Sequence, residues 1–382
     1  MDIPFAESRP TLGVEWEFCL VDKQTRDLVN VADEIFDRLN EEAGRGSGGP
    51  ALHREMLRNT LEIVTGVCET VPEAMADLET TLARVLPVTD ELGVDLLAAG
   101  THPFATWLNQ ELSEGERYAE LIARTQWWGR QMLIWGVHVH VGMPRRETVM
   151  PVLSAMLTYH PHLQALSASS PMWAGDDTGY ASNRAMMFQQ LPTAGLPFQF
   201  STWAEFEDFV ASQVKTGVID QVDEIRWDIR PSPHHGTLET RFCDSVASRR
   251  DLAAIVALNH CLVVDLEERA AAGEKLPELP PWHVQENKWR AARYGMDAWI
   301  ITDSESNERL LRDDLADLVQ RLVPVAERLG CSAELAGVEQ IARHGASYER
   351  QRALAADSGG DLVAVVDMVV RELRSTGDAA AS

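Results

Sequence analysis

The chain has 382 residues, of which 45% are hydrophobic and 24% charged, and its formal net charge at pH 7 is −25. This length supports a substantial core, and we expect one large domain over residues 1–374 followed by a disordered tail, 375–382. The negative charge argues against binding to nucleic acid or to an anionic membrane, because basic surfaces drive both. An anionic substrate would therefore need local arginines or metal ions.

The five cysteines are scattered and odd in number, and no pair has CxxC spacing. Reduced thiols fit this pattern better than a disulfide framework or a zinc site. The N-terminus lacks the basic-then-apolar layout of a signal peptide, and no apolar run approaches membrane-spanning length. These features predict a soluble, cytoplasmic protein.

The predicted elements do not alternate regularly between strand and helix. Period-two alternation predicts strands over residues 12–20, 60–63, 94–99, 136–140, 225–230 and 238–241. Apolar residues at spacings of three and four predict helices over residues 72–86, 251–272, 310–329 (kinked near Pro324) and 362–373. A glycine-rich loop is expected at 41–50. The order favours an α+β fold whose mostly antiparallel sheet lines a site with one face and packs helices on the other.

Carboxylates lie on one face of two of these strands. Glu15 and Glu17 alternate with apolar residues along 12–20, so both side chains share a face. They are candidate magnesium ligands, or simply the solvated face of an amphipathic strand. Glu55 and Glu62 are seven residues apart, so a turn, a helix end or a bulge must separate them if both serve one site.

Two histidines and a Glu–Arg pair extend the pattern. His138 and His140 belong to an apolar strand and point the same way, an arrangement common at metal sites and also seen in satisfied core histidines. Glu239 and Arg241 share a face, as they would in phosphate recognition or in a structural salt-bridge ladder. A second alternation is expected to place Arg226, Asp228 and Arg230 on one face. The chain has no GxxxxGK[ST], GxGxxG, GxSxG or HExxH motif.

Eight segments in order resemble the glutamate–cysteine ligase type 2 family, in particular its bacterial carboxylate–amine ligase branch. They are residues 13–18 (GVEWEF), 100–104 (GTHPF), 136–142 (GVHVHVG), 167–171 (SASSP), 179–184 (GYASNR), 227–231 (WDIRP), 237–241 (TLETR) and 286–295 (ENKWRAARYG). The resemblance runs from about residue 11 to about residue 375. It implies a glutamine synthetase/guanido kinase-like fold, in which a curved antiparallel sheet forms an active-site funnel with helices outside.

The resemblance also implies ATP, Mg²⁺ (with Mn²⁺ as an alternative ion) and small-molecule carboxylate and amine substrates. The metal ligands it implies are Glu15, Glu17, Glu55, Glu62, His138 and Glu239. The catalytic residues it implies are Arg241, Glu62 and Glu239. The substrate or nucleotide contacts it implies are His140, Asn183, Arg184, Arg230, Arg241, Lys288 and Arg290. Two departures stand out: Trp16 replaces an acidic residue but should face the apolar side, and His234-His235 could change which amine is accepted.

These observations favour an ATP-dependent ligase that activates a glutamate-like carboxylate as an acyl phosphate and joins it to an amine, with L-glutamate and L-cysteine as the leading pair. The alternative is a metal-dependent hydrolase or cupin-like enzyme that uses the His138/His140 strand without ATP. The excess of oxygen ligands weighs against it. A non-catalytic binding protein is the third hypothesis. A homodimer is expected only because such enzymes are so often symmetric oligomers.

Overall fold

The computed structural model describes residues 1–39 and 51–375. The loop predicted at 41–50 and the tail from residue 376 onward lie outside the described residues. The strands are β1 Leu12–Asp22, β2 Ala51–Arg54, β3 Thr60–Val64, β4 Val94–Leu97, β5 Gly136–Gly142, β6 Met172–Trp173, β7 Asp176–Asp177, β8 Ala194–Gly195, β9 Arg226–Trp227, β10 Ile229–Ser232, β11 Thr237–Asp244, β12 Trp299–Ile301 and β13 Glu308–Leu310.

Helices make up most of the remaining described structure. They are α1 Ala32–Leu39, α2 Val71–Glu91, α3 Glu116–Thr125, α4 Trp127–Arg130, α5 Arg146–Ser167, α6 Asn183–Phe188, α7 Trp203–Lys215, α8 Arg249–Ala271, α9 Pro281–Tyr294, α10 Leu311–Leu329, α11 Ser332–His344, α12 Ser347–Asp357 and α13 Leu362–Arg374. The four predicted helices are confirmed as α2, α8, α10 and α13. Thr70 and Glu73 form a capping box that fixes the start of α2.

One antiparallel sheet organises the molecule. Its strand order is β10-β11-β5-β1-β3-β2, and β4 also pairs with β1. Three strands therefore pair with β1. The register sets Glu15 opposite His138 and Glu17 opposite Glu62.

The two faces of the sheet differ in chemistry. Val14, Trp16 and Phe18 are fully buried on one face, against a core to which α2, α5 and α8 contribute. Glu15 and Glu17 lie on the opposite face, which we call the site face. The prediction that Trp16 faces the apolar side is confirmed. The predicted antiparallel α+β architecture is also confirmed.

The predicted strand over residues 225–230 is wrong in one respect. The chain leaves the strand path at Asp228, which separates β9 from β10. The Asp228 carboxylate contacts His160 of α5, whose ring stacks on Phe242 on the helix-covered face of β11. Arg230 instead bonds Glu239 on the site face. Asp228 and Arg230 therefore do not share a face.

All five cysteines are buried free thiols, as predicted. Two of them, Cys261 and Cys331, bring their Sγ atoms to 3.6 Å. Among the described helices, none combines the length and apolar character that a membrane crossing requires.

Candidate active site

Carboxylates and imidazoles from four strands and one turn meet on the site face. Three groups of side chains each offer ligand atoms that lie within 4.8 Å of one another. They are Glu15, His140 and Glu239; Glu15, Glu62 and His138; and Glu17, Glu55 and Glu62. All six predicted metal ligands are therefore brought together, and His140 joins them. The shared members make the three groups one continuous cluster, with Glu15 and Glu62 at its centre.

Glu15 bridges the two histidines. Its Oε2 is 2.6 Å from His138 Nδ1, and its Oε1 is 3.1 Å from His140 Nε2. Burial raises the pKa of Glu15, but the hydrogen bonds from both imidazoles outweigh it and hold the pKa well below its ordinary value. His140 also contacts the Thr237 hydroxyl through Nδ1, at 2.9 Å. This second contact fixes the ring orientation, as outer partners of metal-site histidines do.

The other end of the cluster brings three carboxyl groups, those of Glu17, Glu55 and Glu62, close together. Burial, followed by the charge of Glu17, raises the pKa of Glu55 to about 7. Burial and the charges of Glu15 and Glu55 raise the pKa of Glu62 well above its ordinary value. The imidazole Nδ1 of His53 lies 3.4 Å from Glu62 Oε2. A divalent cation would relieve this repulsion, so the donor set fits a hard ion such as Mg²⁺.

Glu239 has the opposite environment. It is fully buried, and it accepts hydrogen bonds from Arg230 Nε at 2.7 Å and from Arg241 Nη1. Burial raises its pKa, but the two guanidinium groups outweigh burial and keep the pKa well below the ordinary value. Glu239 is therefore ionised at neutral pH. It holds both arginines beside the cluster, where their charge can face a phosphate.

Arg184 reaches the cluster by passing over Gly136 of β5, a strand position that has no side chain. Its Nη2 donates to the carbonyl of Arg241, and a Cβ on Gly136 would lie 2.1 Å from that nitrogen. Arg184 Nε and Nη1 are buried and have no hydrogen-bond partner among the described residues. Gly136 N donates to Glu17. The glycine thus admits a guanidinium group next to Glu17.

Three predicted ligand contacts lie elsewhere. Lys288 is buried and binds Asp228 at 2.6 Å, on the helix-covered side of the sheet. Arg290 pairs with Glu286 and Glu308 at the β12–β13 hairpin. Asn183 donates to the carbonyl of Ser170 at 2.8 Å. The structure does not bring these three side chains to the cluster, because α9 packs against α5, away from the site face, and Asn183 of α6 bonds the loop that precedes its helix.

The sequence analysis missed several residues of the site. Thr237 and Gly136 belong to the strands that carry predicted ligands, so strand alternation could have identified them as neighbours. His53 belongs to β2, a strand that was not predicted, and it meets Glu62 because β2 pairs with β3. Tyr118 and Met132 line a cavity beside the cluster but come from outside the sheet, and no spacing pointed to them. His235 is exposed and its ring lies 5.9 Å from that of His140, so the unusual His-His pair does adjoin the site.

The architecture and the site define a class of enzyme: an antiparallel sheet presents an oxygen-rich cation cluster and arginines on one face, as a phosphate-handling ligase requires. The model of glutamate–cysteine ligase family 2 matches residues 11–367, and the chain belongs to that family. The ligase class is therefore confirmed. The hydrolase or cupin-like alternative receives no support from this membership.

Relatives match almost the full length of the chain. A protein of Nocardioides sp. named "Putative glutamate--cysteine ligase 2-3" is 67% identical over 370 residues, which cover 97% of this chain and 98% of the relative. A Mycobacterium tuberculosis protein named "Putative glutamate--cysteine ligase 2" is 63% identical over 372 residues, with 97% of each chain covered.

Two solved structures share the fold at low sequence identity. Glutamate–cysteine ligase from Francisella tularensis, solved in complex with AMP, has a TM-score of 0.67 at 13% identity and covers 98% of this chain and 91% of its own. A bifunctional glutathione synthetase from Pasteurella multocida has a TM-score of 0.62 at 13% identity, covering 96% of this chain and 51% of its own. The predicted fold class is confirmed by these similarities.

Proposed function

We propose that this protein is an ATP-dependent carboxylate–amine ligase that activates a glutamate-like carboxylate and joins it to an amine. The observation that carries the proposal is the single cluster of Glu15, Glu17, Glu55, Glu62 and Glu239 with two histidines and two arginines on the site face. Family membership supports the ligase reaction, and the AMP held by the Francisella tularensis ligase supports use of an adenine nucleotide.

The reaction requires an activated carboxylate, because oxide is too poor a leaving group for direct displacement by an amine. Transfer of the terminal phosphoryl group of ATP to the carboxylate would give an acyl phosphate and ADP. Attack by the amine on the acyl carbon would then form the C–N bond and release phosphate and a proton. Neither step needs a protein nucleophile; both need neutralised phosphate charge and precise positioning.

The chain supplies those two requirements from different residues. Glu17, Glu55 and Glu62, together with His138, would hold Mg²⁺, which when bound neutralises phosphate charge and orients phosphate oxygens. Arg241 and Arg184 would add positive charge at the transferring group. Glu239 fixes Arg241 through a buried salt bridge. The expected role of Glu62 and Glu239 is therefore to place cations, and neither need exchange a proton with substrate.

The test is magnesium-dependent ADP release from ATP with L-glutamate, with and without a panel of amines that includes L-cysteine. We expect release that rises with one or more amines and that falls by about a hundredfold or more in Glu62→Gln. The matched control is Glu278→Gln, which removes an exposed carboxylate and should leave the rate unchanged. Unchanged turnover in Glu62→Gln would contradict the assignment of the cluster. No release with any carboxylate would contradict the ligase proposal.

A further inference from the structure

Asp244, the last residue of β11, joins three sequence segments that supply none of the carboxylates or imidazoles of the cluster. These segments are residues 100–104, 167–171 and 179–184. Asp244 Oδ2 accepts hydrogen bonds from Ser169 N at 3.0 Å and from Ser170 Oγ at 2.6 Å. Its Oδ1 accepts one from Ser182 Oγ at 2.8 Å. A Cβ on Gly100 would lie 2.5 Å from Asp244 Cγ, so a larger residue at position 100 would displace the carboxylate.

A bulge in β11 sets the direction of the Asp244 side chain. Glu239 pairs with His140 across the β5–β11 ladder, and Asp244 pairs with Gly136. These two pairs are five residues apart on β11 but four apart on β5, because the register shifts after Thr240. In a regular strand, Glu239 and Asp244 would point to opposite faces, since an odd number of residues separates them. The bulge instead gives Asp244 the side-chain direction of Gly136, the position over which Arg184 passes, as bulges beside active sites often do.

Asp244 also supports the start of helix α6, of which Arg184 is the second residue. Ser182, which donates to Asp244, caps this helix by accepting a hydrogen bond from Ala185 N at 3.1 Å. Ser170, which also donates to Asp244, accepts one from Arg184 N at 3.2 Å. Two separate hydrogen-bonded links therefore connect Asp244 to the backbone from which the Arg184 side chain departs.

The two side chains differ in what they can offer a ligand. Asp244 is buried, and both of its oxygens accept hydrogen bonds from protein groups. Arg184 is buried as well, but it lines the cavity beside Glu17, and within the described part of the chain its Nε and Nη1 have no hydrogen-bond partner. Unpaired buried donors are costly, and an anionic oxygen of a substrate would pair with them. Burial raises the pKa of Asp244, and the charge of Arg184 is the largest effect that opposes this rise, so the two groups lie within electrostatic reach.

We propose that Asp244 is a positioning residue for the ligase reaction: through Ser170 and Ser182 it fixes the start of α6, and it thereby directs the Arg184 guanidinium group toward the phosphoryl group in transfer. The inference rests on the proposed ligase function and adds a role for segments outside the cluster. In this role Asp244 touches neither substrate nor metal. Its removal should leave the cation cluster in place and abolish the contribution of Arg184.

The first test is a double-mutant cycle that combines Asp244→Asn with Arg184→Met in the magnesium-dependent ADP-release assay, using the full-length protein. Asparagine keeps the volume of aspartate, but its amide nitrogen cannot accept a hydrogen bond. We expect Asp244→Asn to lower kcat by about tenfold to a hundredfold, and Arg184→Met to lower it by about a hundredfold or more. In the Arg184→Met background, Asp244→Asn should cost less than about threefold, because the contribution that it supports is already lost. Effects that multiply in full would overturn the proposal.

Asp95→Asn is the matched control for a loss of stability alone. Asp95 is a buried carboxylate that accepts hydrogen bonds from Arg26 at 2.6 Å and from Arg374 at 2.5 Å. This variant should lower the Tm, as Asp244→Asn should, but it should leave kcat unchanged. An equal fall of kcat in the two variants would show that activity follows stability, and it would overturn the proposal. If Asp244→Asn fails to fold, Ser182→Ala takes its place in the cycle, since it removes one of the two links and keeps the carboxylate.

Hydrogen–deuterium exchange tests the same inference without turnover. We expect Asp244→Asn to speed exchange at the backbone amides of residues 183–185 by about tenfold, because their hydrogen-bond acceptors lose support, while amides of β1 and β3 keep their wild-type rates. Unchanged exchange at residues 183–185 would overturn the positioning role whether or not the protein releases ADP. Faster exchange in the variant, combined with no ADP release from the wild-type protein, would contradict the ligase function and leave the link from Asp244 to α6 supported.

Discussion

Lys288→Met tests whether this lysine holds the fold together or contacts a ligand. Lys288 Nζ lies 2.6 Å from Asp228 Oδ2, and both side chains are almost fully buried. His160 Nε2 contacts the same oxygen at 3.1 Å. Burial raises the pKa of Asp228, but the Lys288 charge outweighs it and the pKa lies well below its ordinary value. Methionine would retain the volume and leave a buried carboxylate without its cation.

The expected loss follows from that environment. Removing one partner of a buried ion pair costs about 3–5 kcal/mol, and the remaining His160 contact favours the lower end. For a chain of this size, such a loss lowers the Tm by about 4–6 °C. Asp228→Asn in the same chain should restore part of the Tm, because it removes the stranded charge.

Thermal unfolding and steady-state ADP release together decide the question. Lys275→Met, which removes an exposed ammonium group, is the matched control and should change neither quantity. A normal Tm combined with a raised KM for ATP or for the carboxylate would refute the structural reasoning. It would show that Lys288 contacts a ligand, as the family resemblance implied.

Three further predictions concern the site face. Glu239→Gln should lower ADP release by about a hundredfold, because Arg230 and Arg241 lose the charge that holds them; a normal rate would contradict that role. Without divalent ions the Tm should fall as pH rises from about 5 to 7.5. The reason is the raised pKa of Glu55, because of which the folded protein binds more protons than the unfolded chain in this pH range. Above this range the free energy of unfolding should be lower by about 3 kcal/mol. Added Mg²⁺ should reverse this fall, and a Tm that rises with pH would refute the assignment. Gly136→Ala should displace Arg184 and impair activity. Gly13→Ala should be tolerated, because its new Cβ would meet no atom closer than 3.8 Å. Equal effects of the two variants on activity would refute the claim that Arg184 needs a glycine at position 136.

The site residues that lie on the sheet were predicted well, because the alternation of side chains along a strand can be read from a short stretch of sequence. Once β1, β5 and β11 were recognised, the common face of Glu15, Glu17, His138, His140 and Glu239 followed from period two. The turn expected between Glu55 and Glu62 is present, since β2 ends at Arg54 and β3 begins at Thr60.

The failures have equally specific causes. Helix α5 is buried on all sides, so it has no amphipathic stripe for a periodicity argument to detect. The break at Asp228 depends on His160 and Lys288, which lie far away in sequence and were not predicted to meet it. The cavity beside the cluster is lined by Tyr118, Leu121, Met132 and Leu191, from segments that lie apart in the sequence, and strand alternation does not show which distant segments converge.

The central position of β1 also has a consequence for how the chain folds. Glu15 and His138 are 123 residues apart, whereas the β10–β11 hairpin joins Arg230 to Glu239 over nine residues. The hairpin can therefore form locally, while β1, which is synthesised early, must wait for β5 before both of its edges are paired. Until then its exposed edges can pair with other chains. The strand that contributes Glu15 and Glu17 is thus also a strand at risk of aggregation during synthesis, and a chaperone-poor host should reduce the yield of folded protein before it reduces specific activity.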